Sequence, residues 1–100
     1  MFFMKFEWDK QKELSNLKKH RVSFEQACYV FSDPFALSQY DKEHSDDEDR
    51  WVLLGQSLNQ ALLVVVHKFV NDKGVEIVRI ISARKATKNE KKTYQQRCKK

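Results

Sequence analysis

Ala61 to Phe69 is a nearly unbroken apolar run rich in β-branched residues, and it limits the possible folds more than any other segment. A stretch so short and so apolar reads as a central strand covered on both faces. Asn71-Asp72-Lys73-Gly74 follows at once and is a hairpin signal, so Val75 to Ala83 returns as the next strand. That strand empties, with no Gly or Pro, into Thr87-x-x-Glu90. The spacing is that of a capping box, in which two side chains satisfy backbone N–H groups of a first helical turn. Beyond it only Ala86, Tyr94 and Cys98 are apolar or aromatic at helical spacing, so this last helix is expected at the edge of the fold, mostly in water.

The first half of the chain supplies the other helices. Phe3 to Trp8 alternates as a strand, and Asp9 is placed to cap a helix through roughly Arg21, with Leu14, Leu17 and Val22 facing inward. Ser23 and Gln26 form a second capping box, opening a helix with Phe24, Ala27, Cys28 and Phe31 on its core face. Asp33-Pro34 ends it, since proline cannot donate the next helical bond. Phe35 to Tyr40 is the next strand, an acidic loop follows, and Arg50 to Ser57 is another strand with Trp51, Leu53 and Gly55 on one face. Leu58-Asn59-Gln60 then turns the chain. The order β-α-α-β-β-β-β-α predicts an α+β fold in one domain, residues 1–100, with two amino-terminal helices on one face of an antiparallel sheet and a carboxy-terminal helix. The other face, or part of it, is left for function.

A chain of 100 residues builds one modest core and has no room for a separate catalytic domain. Its net charge of +5 is unevenly spread: nine cations lie between Arg79 and Lys100 against the single acid Glu90, which suggests a polyanionic partner. Asp41 to Asp49 holds six acids with only Lys42 among them, the pattern of a solvated loop or of a contact for a basic partner. Cys28 and Cys98 have no paired spacing, so free thiols and a reducing cytoplasm are expected. No apolar stretch approaches the ~18 residues of a membrane helix, and the start has no signal-peptide core. Three scattered histidines, two distant cysteines and two glycines offer neither a metal site nor a phosphate-cradling loop, so no cofactor is expected.

Several linked segments are similar to one family. Phe6-Glu7-Trp8-Asp9, then Asn16 to His20 with Val22 to Ala27, then Val30-Phe31-x-Asp33-Pro34, then Glu48-x-Arg50 with Gly55-x-Ser57, then Leu62 to Val66, and finally Arg79 to Arg84 with Glu90 and Tyr94, resemble the BrnT family in order and spacing. The likeness runs from about Lys5 to Tyr94. It implies a type II toxin, a small RelE-like ribonuclease, held by a BrnA-like antitoxin that carries a ribbon-helix-helix part. It further implies two toxins with two antitoxins, dimerised through the antitoxin, which alone touches operator DNA. The departures are Met1-Phe2-Phe3, the Lys-rich tail, and Arg21, where the family commonly has Gly, which bears on the turn geometry there.

Cutting RNA without a metal requires a proton acceptor for the ribose 2′-hydroxyl, a proton donor for the leaving oxygen, and cations for the phosphorane. Arginine suits the last task because it stays charged and offers a planar fork to two oxygens. Arg79 and Arg84 are the first candidates, expected to converge on one phosphodiester; as surface cations they would instead pair with an acid such as Glu76 or Glu90. In a regular strand they have opposite parity, so either a bulge near Ser82 re-aims one or only one belongs to the site. Tyr94 either stacks on a base or pins the last helix to the sheet. His20 and His67 have the unperturbed acidity for proton transfer, with helix-end and sheet-rim roles as the alternatives. The resemblance further implies that Lys18 or Lys19 can take the place of a histidine base, since related toxins of this fold often lean on Lys and Arg, and Arg50, Lys85 and Lys88 complete the candidate RNA-binding set. A non-catalytic nucleic-acid-binding or autoregulatory module, an inactive homologue, would use the same basic surface.

Overall fold

The computed structural model describes residues 4–46 and 48–98. The expected strand start at Phe3 and the cations Lys99 and Lys100 lie outside them. In chain order the elements are β1 (Lys5–Trp8), α1 (Lys10–His20), α2 (Phe24–Val30), β2 (Leu37–Tyr40), β3 (Trp51–Gln56), β4 (Leu62–Asp72), β5 (Val75–Lys85) and α3 (Lys88–Cys98). Short 3₁₀ turns occupy Lys42–His44 and Leu58–Gln60. The strands form one sheet in the order β1-β5-β4-β3-β2. This is the α+β architecture expected, with one difference at the edge. β2 to β5 are antiparallel, whereas β1 runs parallel to β5, with Lys5 beside Ile77 and Trp8 beside Ile80. Parallel neighbours need a long crossover, and the whole chain between β1 and β5 serves as one.

Local chemistry accounts for the boundaries. Asp9 accepts from the Gln11 and Lys12 amides and caps α1, while Ser23 and Gln26 exchange both bonds of the capping box that opens α2. Arg21 ends α1 in the left-handed region at φ 58°, where a side chain is strained and glycine is free. In the β4–β5 hairpin Lys73 and Gly74 both take positive φ, 52° and 86°, as a type I′ turn requires.

The core lies between α2 and one face of the sheet. Phe24, Ala27 and Val30 pack on Leu53, Leu63, Val65, Val78, Ile80 and Ala83. Gly55 belongs to this face for a steric reason: a Cβ there would come within 2.9 Å of both Val30 and Ala36. The inward positions expected on α1 are corrected. Leu14 and Leu17 are 59% and 44% exposed, and the buried residue of that helix is Asn16. β1 pairs with β5 only as far as Ile80, so the Ala83 N–H and C=O beyond it lack a strand partner. Asn16 supplies one, accepting from Ala83 N and donating to Ala83 O and Val22 O. A polar fastening to the edge of β5 thus replaces the apolar stripe on α1.

Candidate functional site

β5 is not regular. Val66 pairs with Ser82 while the next residue, His67, pairs with Ile80, so Ile81 is an extra residue in β5. Cross-strand partners project to the same face, and Arg79 stands opposite Lys68 while Arg84 stands opposite Val64. Val64 and Lys68 have the same parity on β4. The bulge therefore turns Arg79 and Arg84 onto one face, the face opposite α2.

That face is organised in rows by the register. Leu37, Leu54, Val64 and Arg84 form one across β2 to β5, and Gln39, Val52, Val66 and Ser82 form the next. Lys68 and Arg79 continue a third row, which Glu7 extends onto β1. Arg50 joins it through Glu48, whose Oε1 lies 3.6 Å from Arg50 Nε while its Oε2 pairs with Lys68 Nζ. Arg79 Nη1 lies 3.0 Å from Glu7 Oε1. Four register steps separate Arg79 from Arg84, about 13 Å at 3.2–3.4 Å per residue, so the two occupy one face but not one point. The expected convergence on a single phosphodiester is replaced by two stations along the sheet.

Arg84 is held by Glu90 of α3 through two parallel bonds, Nη1 to Oε1 at 2.8 Å and Nη2 to Oε2 at 2.9 Å. Glu90 also takes the Thr87 N–H at 2.8 Å, and Thr87 Oγ1 accepts from the Glu90 amide, so the expected capping box forms and shares its carboxylate with the arginine. The guanidinium, followed by the Thr87 bonds, holds the Glu90 carboxyl down at about 2. Both arginines remain open to solvent, with side chains 35% and 41% exposed.

Tyr94 is buried, and its hydroxyl donates to Asp33 Oδ2 at 2.6 Å. Asp33 also accepts from the Gln56 and Phe35 amides, so one carboxylate ties α3, β3 and the end of α2 together. Burial opposes ionisation of Asp33, but the bonds from Tyr94, Gln56 and Phe35 outweigh it and keep its carboxyl below the usual range. Of the two roles open to Tyr94, the helix pin matches this geometry. His67 is only 2% exposed, on the α2 face between the rings of Phe31 and Phe69 at 4.8 and 5.3 Å, and burial lowers its affinity for a proton. It is a core residue, which removes it from the candidate proton carriers; the parity of β4 aims it inward. His44 pairs with Asp41 in the acidic segment.

His20, half-buried, is the last residue of α1, one turn beyond Asn16. Lys18, Lys19, Lys85 and Lys88 are exposed. Lys85 stands opposite Leu63 and so belongs to the other parity of the sheet. Sequence reasoning missed Lys68 and took Glu7 and Glu48 as parts of the family segments without giving them a place in the site; the available signal for Lys68 was a cation set within an apolar strand. Along the open face, α3 and the sheet enclose a groove of about 410 Å³ floored by Val52, Leu54 and Val64. Among the described residues no His, Cys, Asp and Glu side chains cluster to hold a metal ion, and no helix is long and apolar enough to cross a membrane.

Known proteins are similar to this chain in sequence pattern and in fold. A family model described as the ribonuclease toxin BrnT of type II toxin–antitoxin systems matches residues 8–90. No curated protein matches the chain. The crystal structure of the Brucella abortus ribonuclease toxin BrnT is similar with a TM-score of 0.59 at 24% identity, over 86% of this chain and 100% of that one. At that identity the likeness concerns the fold. The matched residues run from Trp8, the last residue of β1, to Glu90 in α3 and so take in β2 to β5, the bulge and the Arg84–Glu90 pair. The chain belongs to the BrnT family of type II toxins.

Proposed function

We propose that this chain is a metal-independent endoribonuclease toxin. The ribose 2′-oxygen bonds to the adjacent phosphorus, the bond from phosphorus to the 5′-oxygen breaks, and a 2′,3′-cyclic phosphate and a 5′-hydroxyl result. The 2′ proton passes to a base on the protein, and the 5′-oxygen gains one from an acid. Arg84 meets the phosphorane, exchanging the two oxygens of Glu90 for two of phosphate, because its fork is already set for bidentate contact. Arg79, Lys68 and Arg50 hold the backbone one station away. His20 takes the 2′ proton: it shares a face of α1 with Asn16, whose amide grips Ala83 next to Arg84. Lys18 and Lys19, in the same turn, with Lys85 and Lys88, add charge for the strand. Tyr94 acts as a positioning residue by keeping α3, and with it Glu90, in place.

The observation that carries this reading is the Ile81 bulge, which puts both arginines on the face that α2 leaves open. A BrnA-like ribbon-helix-helix antitoxin covers this face with acidic residues, two copies of each protein assembling through the antitoxin, which alone contacts operator DNA.

The test is cleavage of a mixed RNA pool in EDTA. Arg84→Ala is expected to slow it by roughly a hundredfold, the scale of losing one transition-state contact. Arg79→Ala acts mainly on binding and lowers the salt slope of log affinity by about 0.7. RNA binding without turnover, or equal turnover in both variants and the parent, overturns the assignment in favour of a non-catalytic binder.

A further inference from the structure

We infer that the groove between α3 and the sheet accepts a nucleobase of the RNA, and that Gln39 and Glu90 select which base enters. The inference rests on the ribonuclease reading and adds the element that distinguishes one nucleotide from another. Phosphate contacts alone are blind to sequence.

The groove of about 410 Å³ has the size of a small-molecule site. Its floor is Val52, Leu54 and Val64, a flat apolar surface suited to the face of a heterocycle. Thr93 of α3 stands at one wall, and Gln39 on the edge strand β2 at the other. Arg84 shares the register row of Val64 and Leu54, so a phosphate on Arg84 delivers its own nucleoside to the groove mouth. Arg84, beside Val64 in that row, thus complements the phosphate and the apolar floor complements the base. A nucleotide presents these two characters side by side.

Selectivity follows from counting lone pairs. When Arg84 turns to the phosphate, Glu90 Oε1 keeps the Thr87 N–H, and Oε2, which among the described residues receives only Arg84 Nη2, is released. More than one acceptor position then opens on a residue that lines the groove. The Gln39 amide has no partner among the described residues and offers both a donor and an acceptor. An exocyclic amine brings two N–H groups to these acceptors on Glu90 and stands beside a ring nitrogen that accepts from Gln39, as in adenine, cytosine and guanine. Uracil has one ring N–H between two carbonyls and so makes one bond fewer to Glu90.

The test is an amide ¹H–¹⁵N titration of the full chain with the four nucleoside 3′-monophosphates and with inorganic phosphate. Shifts are expected at Gln39, Val52, Leu54 and Thr93 with the nucleotides and not with phosphate, and the three amine-bearing bases are expected to bind about fivefold tighter than uridine. Gln39→Leu, on an exposed edge strand, should erase most of that preference. Thr93→Trp, on the exposed side of α3, should fill the groove and abolish the base-dependent shifts while leaving those of phosphate. Shifts confined to the arginines, or equal for all four bases, overturn the inference. So does a groove that responds to N-acetyl-tyrosinamide and not to nucleotides, since its occupant is then a protein side chain. The readout needs no turnover: a base-selective groove in a chain that cleaves nothing refutes the ribonuclease and keeps the groove, and cleavage with a silent groove does the reverse.

Discussion

The two faces of the sheet are made from alternate residues of the same strands, and they are put to opposite uses. Beneath α2, Leu53, Leu63, Val65, Val78, Ile80 and Ala83 meet Phe24, Ala27 and Val30 with almost no exposed surface, and even the histidine there is sealed between aromatic rings. On the opposite face the charged groups are paired yet solvated, Arg79 with Glu7, Lys68 and Arg50 with Glu48, and Arg84 with Glu90. Exposed pairs contribute little to stability, so the exchange of carboxylates for phosphates proposed for the open face would not loosen the fold. The closed face carries the stability that makes this freedom affordable to the molecule.

The sharpest way to break this division is to cut each face once. Phe24→Ala, at a fully buried site, should cost ~3–5 kcal/mol in urea denaturation, because the lost transfer energy is joined by a cavity under the sheet. Arg84→Ala should change the same quantity by ~1 kcal/mol or less. If both variants unfold alike, the open face is structural and the division fails.

A smaller effect tests the seam between the faces. Asn16→Ala leaves the N–H and C=O of Ala83 and the carbonyl of Val22 without their partner, and should cost roughly 2–3 kcal/mol. Hydrogen exchange at Ala83 should rise more than at Val65 in the middle of the sheet. Unchanged exchange at Ala83 would mean that α1 is held by something other than this side chain.

The smallest effect separates the faces by pH. Unfolded, His67 takes a proton near its ordinary 6.5; buried, it does so only at lower pH, so the unfolded state binds more protons and stability falls as the pH drops below 6.5. Glu90 acts in a different window. Its ordinary value of 4.5 is depressed to about 2 in the fold, so its contribution is complete above 4.5 and is lost as the pH falls through about 2. His67→Phe should flatten the upper slope and leave the lower one, while Glu90→Gln does the reverse; denaturation midpoints measured from pH 7 down to pH 2 discriminate them.

Much of the architecture was legible from short segments. The capping boxes at Ser23–Gln26 and Thr87–Glu90, the stop at Asp33-Pro34 and the hairpin at Asn71 to Gly74 each involve residues within about four positions, so each signal carries its own partner. Leu14 and Leu17 misled because spacing alone marks an apolar stripe without showing what lies against it. The β4 run suggested cover on both faces; α2 supplies one cover, while on the other side α3 shelters Val64 but leaves Lys68 half-exposed. Within the candidate site, the arginines and the Glu90 cap were legible as residue types, whereas Lys68 and Glu48 become neighbours only across strands, and His67 became a core residue through the inward parity of β4.

Local sequence, then, determined the elements, their ends and the basic character of the carboxy-terminal third, because hydrogen-bond caps, turn dihedrals and charge density act over a few residues. Tertiary structure decided the parallel seat of β1, the extra residue at Ile81, the burial of His67 and the anchoring of Tyr94 by Asp33. Each of these depends on a partner far outside its local segment, and strand register has no local code when both faces of a strand carry apolar residues. The face that Arg79 and Arg84 share is therefore a property of the folded sheet.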